Sequence, residues 1–384
     1  MAIHFTQLEF EERKTKALKK MDEAQLDGIL MFRQESMYYL TGYDTFGFVF
    51  FQCLILNARG EFTLLTRMPD LRQAQHTSII KDIRIWTDRD GANPAMDLRA
   101  ILEQAGYQNK RLGVEYNAYG LTAANGKKLD HALDGFCDLD DASNLVSELR
   151  LIKSAAELEY VQTAAELADK AWVKAKSLIA PDVSEANILA AMQAEILAGD
   201  GDYPANEFII GSGNDALLCR YFSGRRTLLK IDQLTLEFAG VFRHYHAAMM
   251  RTVPVGKITD QHRQMYCVTI DAMQACMKAL KPGNRVGDVF DAYARVCDAG
   301  GMSAHRMNAT GYSQGATFAP NWMDWPMFYS GNPVIIEPGM VFFLHMILMD
   351  SETGNAMCPG WTVKVTDSGS ETLSNESLEL FFVE

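Results

Sequence analysis

The 384-residue sequence lacks the features that would direct it to a membrane or to a nucleic acid. No stretch approaches the roughly 18 uncharged apolar residues that a spanning helix needs, and no basic segment followed by an apolar run opens the chain. Acidic side chains outnumber basic ones, 49 against 36, and the net charge of -13 argues against nucleic acid or an anionic membrane as a partner. We therefore expect a cytoplasmic protein.

Paired cysteines are also missing. The seven cysteines are an odd number, lie far apart and include no CxxC pair. Disulfide frameworks use even numbers of cysteines, and zinc knuckles use closely spaced ones. Both kinds of site are therefore disfavoured, and most of the cysteines are expected as small core residues.

What the sequence does contain is an alternation of strand and helix patterns that indicates two domains. A helix pattern over 7–26 and a buried strand pattern over 28–32 begin an α/β domain. The spacing Ser154-Ala-Ala-Glu157 is that of a capping box and predicts a long helix that opens the next domain. We expect an α/β (α+β) protein with domains at 1–150 and 151–384.

The stretch 231–256 carries the densest group of candidate catalytic side chains. Apolar and polar residues alternate over 234–238, Ala239-Gly240 permits a bend, and 241–253 has the pattern of a second strand. The resulting hairpin would carry Glu237, Arg243, His244, Tyr245, His246 and Arg251. A carboxylate beside imidazoles is typical of acid-base and covalent catalysis, although an exposed hairpin with solvated charges is the plain alternative.

A second unusual stretch surrounds Arg220, which lies between Leu217-Leu218-Cys219 and Tyr221-Phe222. An unpaired guanidinium is costly in an apolar setting, so we expect an anionic partner. The partner is either a substrate carboxylate held by two hydrogen bonds or an internal acid such as Glu207. Tyr221 is a further candidate for substrate binding.

Aromatic residues crowd the segment 311–331, which includes Trp322, Asp324 and Trp325. Such a loop can be a core plug, but planar cations bind over aromatic faces with about 0.5 to 2 kcal/mol per contact. Asp324 would add a counter-charge. In the first domain Phe46 lies in an aromatic, glycine-rich stretch and is a candidate to line a pocket of its own chain or of a partner.

The hairpin resembles the metal-binding hairpin of the pita-bread superfamily, which includes methionine and Xaa-Pro aminopeptidases, prolidase and creatinase. The resemblance lies in the strand, the glycine-containing bend and a tyrosine-containing strand that ends in Arg-Thr-Val-Pro-Val-Gly. Members with two metals carry Asp, Asp, His, Glu and Glu in that order. The matching positions here are Glu237, Ala248, Tyr312, His345 and Gly360. Two cations need several bridging carboxylates to offset their repulsion. The resemblance therefore implies a creatinase-type N-terminal domain followed by a pita-bread domain, without the metals or any other cofactor.

Three segments, 216–221, 242–247 and 321–327, resemble the ectoine hydrolase branch of that superfamily. Those enzymes open a cyclic amidine that carries a carboxylate, giving N-acetyl-diaminobutyrate. The resemblance implies a metal-independent hydrolase of a small zwitterion, acting as a homodimer. Its implied substrate contacts include Arg220, Tyr312, Trp322, Trp325 and Trp361.

In this interpretation Glu237 attacks the amidine carbon directly or activates water, and the sequence leaves both routes open. His246 or His345 would move protons to the departing nitrogen. In a strand His244 and His246 point to one face and Tyr245 to the other, so the register decides which of them faces Glu237. We expect the histidine pair to do so.

Three other functions stay open. A creatinase-like amidinohydrolase would share the metal-free site and is separated by a panel of substrates. A divergent Xaa-Pro dipeptidase would cleave proline peptides with stimulation by metal. A catalytically inactive pita-bread domain would bind peptides, but His and Glu residues in apolar segments favour an enzyme.

Overall fold

The computed structural model describes residues 3–220 and 224–384, and the chain divides into two units, Met1–Arg150 and Leu151–Glu384. Within the described residues no helix is long and apolar enough to cross a bilayer.

The first unit is built on a mixed six-stranded sheet in the order β4-β3-β2-β1-β5-β6. Its strands are β1 (Gly28–Met31), β2 (Cys53–Asn57), β3 (Phe62–Arg67), β4 (Asp82–Trp86), β5 (Arg111–Val114) and β6 (Asp138–Asp141). Its helices are α1 (Gln7–Glu23), α2 (Gln34–Thr41), α3 (Leu71–Thr77), α4 (Pro94–Gln104), α5 (Ala123–Leu133) and, at the boundary, α6 (Leu145–Leu151). Leu30 of β1 packs in one core cluster and its neighbours Ile29 and Met31 in another. Both faces of the sheet are therefore covered, which explains why β1 is apolar at every position.

The described residues of the second unit form an eight-stranded sheet, which runs β11-β10-β12-β15-β9-β8-β7 with β16 also paired to β15. The strands are β7 (Ile209–Ser212), β8 (Asp232–Phe242), β9 (Tyr245–Val255), β10 (Gly311–Ser313), β11 (Asp324–Met327), β12 (Val341–His345), β15 (Gly360–Val365) and β16 (Ser370–Thr372). A separate hairpin is formed by β13 (Leu348–Asp350) and β14 (Asn355–Met357). The helices are α7 (Ala155–Leu178), α8 (Glu185–Ala198), α9 (Asp260–Ala279) and α10 (Val286–Ala299).

The predicted start of the long helix is confirmed. Glu157 N donates to Ser154 Oγ at 3.3 Å, and Ser154 N donates to Glu157 Oε2 at 2.9 Å, so the capping box closes both ways. The helix α7 packs directly on β8, where a Cβ at Gly240 would lie only 1.8 Å from Ala164 O. Gly240 is therefore required for the close approach of helix and strand.

The predicted bend at Ala239-Gly240 is wrong, because β8 continues through both residues to Phe242. The turn lies at Arg243-His244, whose φ angles are 50° and 67°. A two-residue turn with both φ angles positive matches the twist of antiparallel strands, although Asn-Gly is its usual sequence. The longer β8 fixes the pairing of Glu237 with Met250.

Candidate active site

Four residues on neighbouring strands form one row across the sheet. Glu237 pairs with Met250, Met250 pairs with Gly360, and Gly360 pairs with His345. Directly paired residues of antiparallel strands project to the same face of a sheet. Glu237 and His345 therefore lie on one face although they are 108 positions apart in the sequence.

Tyr312 joins this face, because it pairs with Phe343, two residues before His345. Trp322 Nε1 donates to the Tyr312 hydroxyl at 2.8 Å, and the Tyr312 hydroxyl donates to Glu237 Oε1 at 3.2 Å. An indole N–H can only donate, so the phenol oxygen accepts from Trp322 and directs its own proton to Glu237. All three side chains are buried.

The carboxyl group of Glu237 is tuned to neutral pH. Burial raises its pKa to about 7, while the Tyr312 hydrogen bond and the positive charge of Arg220 partly oppose this shift. Burial also raises the pKa of Tyr312 well above its usual value, so the phenol stays a donor. A carboxyl group with both forms populated near pH 7 can accept or release a proton during a reaction.

His345 presents an imidazole with an open nitrogen. Its Nδ1 is buried and has no hydrogen-bond partner among residues 3–220 and 224–384. Its ring centroid lies 5.8 Å from that of Tyr312. Burial lowers the pKa of His345 to about 4, so the ring is neutral at pH 7 and can accept a proton.

Arg220 differs from the expectation of a guanidinium in an apolar setting. The side chain is exposed, and its Nη2 lies 3.8 Å from Met323 Sδ. Within the part of the chain that the structure describes, no ion pair within 4.0 Å joins it to Glu207 or to another acid. Its charge nevertheless lowers the pKa of Glu237 and of His345. Arg220 therefore supplies positive potential to the site.

The hydrogen bonds of His246 argue against a proton shuttle at this residue. His246 pairs with Val241, four positions beyond Glu237 and on the same face of the sheet, and its ring centroid lies 6.2 Å from that of Trp322. Its Nε2 accepts from Ala205 N at 2.9 Å, so Nδ1 carries the proton and donates to His244 O at 2.8 Å. With both nitrogens bonded, and with a pKa that burial lowers to about 3, His246 is a structural residue.

His244 is likewise part of the turn and not of the Glu237 cluster. Its ring stacks on Phe318 with centroids 4.2 Å apart. Its backbone N–H donates to Asp202 Oδ2 at 3.0 Å, and its carbonyl accepts from Thr317 N at 3.1 Å. These contacts place His244 in the turn and argue against its predicted catalytic role.

Two of the three tryptophans predicted to contact substrate lie away from Glu237. Trp361 pairs with Leu344 and Met249, each one residue from a member of the row that contains Glu237 and His345. Neighbouring residues of a strand point to opposite faces, so the Trp361 side chain lies on the face opposite Glu237. Trp325 packs against the same core cluster as Trp361. The geometry therefore argues against substrate contacts by Trp325 and Trp361, whereas Trp322 lies in the cluster that contains Tyr312.

Three further predicted contacts stay predictions. Asp324 is half-buried. A Cβ atom added at Gly315 would lie 3.7 Å from Asp324 Oδ2 and 3.5 Å from Lys153 Nζ. A cation therefore already neighbours Asp324. Phe46 lies in the first unit with 80% of its surface exposed. Tyr221 lies outside the described residues.

Two residues that the sequence analysis missed are Gln314 and Thr362. Gln314 Oε1 accepts from Ala248 N at 3.0 Å and from Thr362 Oγ1 at 2.6 Å. These side chains therefore surround the position that matches the second metal-binding acid. Gln314 follows Tyr312 by two residues, and the period of two along a strand could have indicated that both side chains lie on the same side.

The side chains at the family's five ligand positions do not fit a centre of two cations. Ala248 and Gly360 have no ligating side-chain atom, and the Tyr312 hydroxyl is bonded to Glu237 and Trp322. Across residues 3–220 and 224–384 no group of three or more His, Cys, Asp or Glu side chains could hold a metal ion. One carboxylate cannot offset the repulsion of two cations.

Comparison with known proteins assigns the family. The profile described as metallopeptidase family M24 matches residues 159–369, which is more than half of the chain. The chain belongs to metallopeptidase family M24. The profile described as the creatinase/prolidase N-terminal domain matches residues 13–152. The predicted fold, a creatinase-like domain followed by an M24 pita-bread domain, is therefore confirmed.

Relatives of this M24 protein carry different activities. The present chain is 26% identical to the ectoine hydrolase of Halomonas elongata, with 99% of each chain covered. It is 22% identical to the Xaa-Pro dipeptidase of Pyrococcus furiosus, over 96% of this chain and 99% of the relative. Among solved structures, the prolidase of Thermococcus sibiricus has a TM-score of 0.87 at 20% identity, covering 97% of this chain and 99% of that one. The Xaa-Pro dipeptidase of Bacillus anthracis has a TM-score of 0.85 at 20% identity, covering 97% and 100%.

Proposed function

We propose that this M24 hydrolase opens the cyclic amidine ring of ectoine or 5-hydroxyectoine, without a metal, to give N-acetyl-2,4-diaminobutyrate. The observation that carries the proposal is Glu237, a buried carboxyl group with a pKa near 7 at a site whose other ligand positions cannot hold two cations. The similarity to the Halomonas elongata ectoine hydrolase supports the choice of substrate.

The reaction adds water across one C–N bond of the amidine. The ring carbon between the two nitrogens carries their shared positive charge, so it is electrophilic enough for attack without a Lewis acid. The ionised form of Glu237 either bonds to this carbon, giving a covalent imidate ester that water later cleaves, or removes a proton from a water that attacks. In both routes the ring C–N bond breaks and the departing nitrogen receives a proton.

His345 and Tyr312 serve this chemistry in different ways. The neutral imidazole of His345 can accept the proton released by water and pass it to the departing nitrogen, because its Nδ1 makes no other hydrogen bond among the described residues. Tyr312 holds Glu237 Oε1 in place and stabilises its ionised form. Trp322 fixes the direction of the Tyr312 hydroxyl.

Charge and aromatic surface suit a zwitterionic substrate. Arg220 is an exposed cation whose field reaches Glu237, which suits a substrate carboxylate. The buried Glu237 carboxylate offers the counter-charge for the amidinium, and the buried ring of Trp322 lies beside Tyr312. A homodimer, expected from the resemblance, stays part of the proposal, and the mass of the native protein in solution tests it.

The runner-up functions share parts of this site. A creatinase-like amidinohydrolase would use the same carboxylate on an acyclic cation. A Xaa-Pro dipeptidase is supported by the Pyrococcus furiosus relative. The positions of Ala248 and Gly360, which have no side-chain atom that can bind a metal, argue against it. A peptide-binding domain without activity would have no use for an acid with a pKa near 7.

A panel of substrates separates these functions. The purified protein is incubated with ectoine, 5-hydroxyectoine, creatine and a Xaa-Pro dipeptide, and the products are identified by mass spectrometry. We expect ectoine or 5-hydroxyectoine alone to gain the mass of one water. Turnover of creatine or of the dipeptide without turnover of either ectoine would contradict the proposal.

A further inference from the structure

The residues of the active site are divided between two parts of one sheet. Glu237 lies on β8, whereas Tyr312 and His345 lie on β10 and β12. The two parts meet where β9 pairs with β15, and among the described residues this ladder consists of the pairs Gly360 with Met250 and Trp361 with Met249. We call these two pairs the seam. Gln314 and Thr362 also bond to Ala248, and His246 N donates to Gly315 O, so these contacts join the two parts as well. The seam lies in the row of Glu237 and therefore contributes to the distance between Glu237 and Tyr312.

Arg251 reinforces the seam from the face opposite Glu237. Its side chain is 5% exposed, and its Nη1 donates to Met250 O at 2.8 Å and to Gly360 O at 2.6 Å. These carbonyls belong to one residue on each side of the seam. One guanidinium nitrogen thus bonds both strands at the row that carries Glu237 and His345.

The other end of the guanidinium reaches the C-terminal segment. Arg251 Nη2 donates to Ser377 O at 3.4 Å, and Asp169 on α7 holds the same segment through Ser374 Oγ and Asn375 N. The charge of Asp169 also stabilises the Arg251 cation, which stays protonated at neutral pH although burial lowers its pKa to about 10. Arg251 is therefore fixed on both sides.

We propose that Arg251 is a positioning residue that sets the contact between Glu237 and Tyr312 by clamping the seam. The inference rests on the proposed role of Glu237. If the clamp is weakened, the parts of the sheet separate slightly, and the Tyr312 hydrogen bond, already 3.2 Å long, is the first contact to lengthen. Because that bond favours ionised Glu237, its loss raises the pKa of Glu237 above about 7.

The test follows the ionisation of Glu237 without using a substrate. Trp322 Nε1 bonds to the hydroxyl that contacts Glu237, so its indole N–H resonance reports the titration. The five tryptophans are labelled with ¹⁵N, and Trp322→Phe identifies the resonance. In Arg251→Met we expect the midpoint to rise by about 0.5 pH unit or more. With an active substrate, kcat should fall about twofold or more at pH 7, as the ionised fraction of Glu237 falls, with little change in KM.

Tyr266→Phe is the matched control, because Tyr266 also bonds the C-terminal segment, at Leu378 O, but makes no bond to the seam. It should leave the titration midpoint unchanged. Arg251→Lys keeps the charge and can reach one carbonyl, so it should show a smaller rise and serves if Arg251→Met does not fold. An unchanged midpoint in the folded Arg251 variants, or an equal shift in Tyr266→Phe, would overturn the inference. A shifted midpoint in a protein inactive on ectoine would leave the inference standing and remove the proposed substrate.

Discussion

The two buried histidines His345 and His246 of the second unit differ in the hydrogen bonding of their ring nitrogens. His345, beside Glu237 and Tyr312, and His246, near the β8–β9 turn, are both buried, and burial lowers the pKa of both. His246 uses both ring nitrogens, whereas Nδ1 of His345 has no partner in residues 3–220 and 224–384. A lowered pKa is therefore common to a structural and a candidate catalytic histidine, and the open nitrogen distinguishes them.

Two carboxyl groups of the second unit extend the contrast. Glu237 is held by one long hydrogen bond from Tyr312, and burial raises its pKa to about 7. Asp202 accepts from the His244 backbone N–H and serves the turn. We therefore propose that the Glu237 end of the sheet is the reactive one and that the turn end is structural.

The largest expected effect comes from Glu237→Gln. The amide keeps the shape and the Tyr312 hydrogen bond but can neither attack carbon nor accept a proton, so kcat should fall by about 10³-fold or more. Because the folded-state pKa of Glu237 is raised above its unfolded value of 4.5, its stabilising contribution is lost as pH rises from 4.5 to 7. The variant should therefore be more stable than the wild type at pH 8, by up to about 3 kcal/mol.

Kinetics at saturating substrate and thermal unfolding at pH 8 check both statements for Glu237→Gln. The exposed Glu207 provides the control, since Glu207→Gln should change neither quantity. A Glu237→Gln protein with more than about a tenth of the wild-type kcat, a barrier change under 1.4 kcal/mol, would remove Glu237 from the reaction.

A smaller effect is expected for His345→Gln. The amide fills similar space without taking up a proton, so kcat should fall about 100-fold while the free energy of unfolding changes by less than about 1 kcal/mol. Stopped assays and urea unfolding at pH 7 measure the two quantities. His244→Gln is the matched control and should stay within about threefold of wild-type kcat. Equal losses of kcat in the two variants would erase the distinction between the two regions.

His246→Gln should affect stability more than turnover. Loss of the paired hydrogen bonds to Ala205 and His244 should lower the free energy of unfolding by about 2 kcal/mol at pH 7. The folded pKa near 3 lies below the unfolded value of 6.5, so the stability that neutral His246 provides is present above pH 6.5 and is lost as pH falls towards 3.

Urea unfolding of the wild type and of His246→Gln between pH 7 and pH 4 measures this difference. The two curves should converge as pH falls, by at most about 1.4 kcal/mol per pH unit. Parallel curves, or a loss of kcat as large as in His345→Gln, would show that His246 is not the structural residue described here.

The smallest effect is expected for Arg220→Ala. The side chain is exposed and contributes mainly long-range charge, so KM for a carboxylate substrate should rise about tenfold with kcat nearly unchanged. The rise should shrink at high salt, because exposed charges are screened. Steady-state kinetics at two ionic strengths checks this, and an unchanged KM would limit Arg220 to a structural role.

Local sequence patterns predicted the elements better than the site. The capping box at Ser154 depends on residues a few positions apart, and it is confirmed. The bend at Ala239-Gly240 was wrong because Gly240 serves the contact with α7, which only the tertiary structure reveals. The strand period predicted that the histidine pair faces Glu237, and the register does put His246 on that face, but the position of the turn places it four residues along the strand. The contribution of Arg251 depends on where β9 leaves β15, which no local pattern indicates.

The most direct test is turnover of ectoine by protein freed of metal with a chelator and checked by elemental mass spectrometry. The site has one carboxylate at the five matching positions, so we expect full activity with far less than one metal ion per chain. Activity that disappears on chelation and returns with manganese, cobalt or zinc would contradict the account.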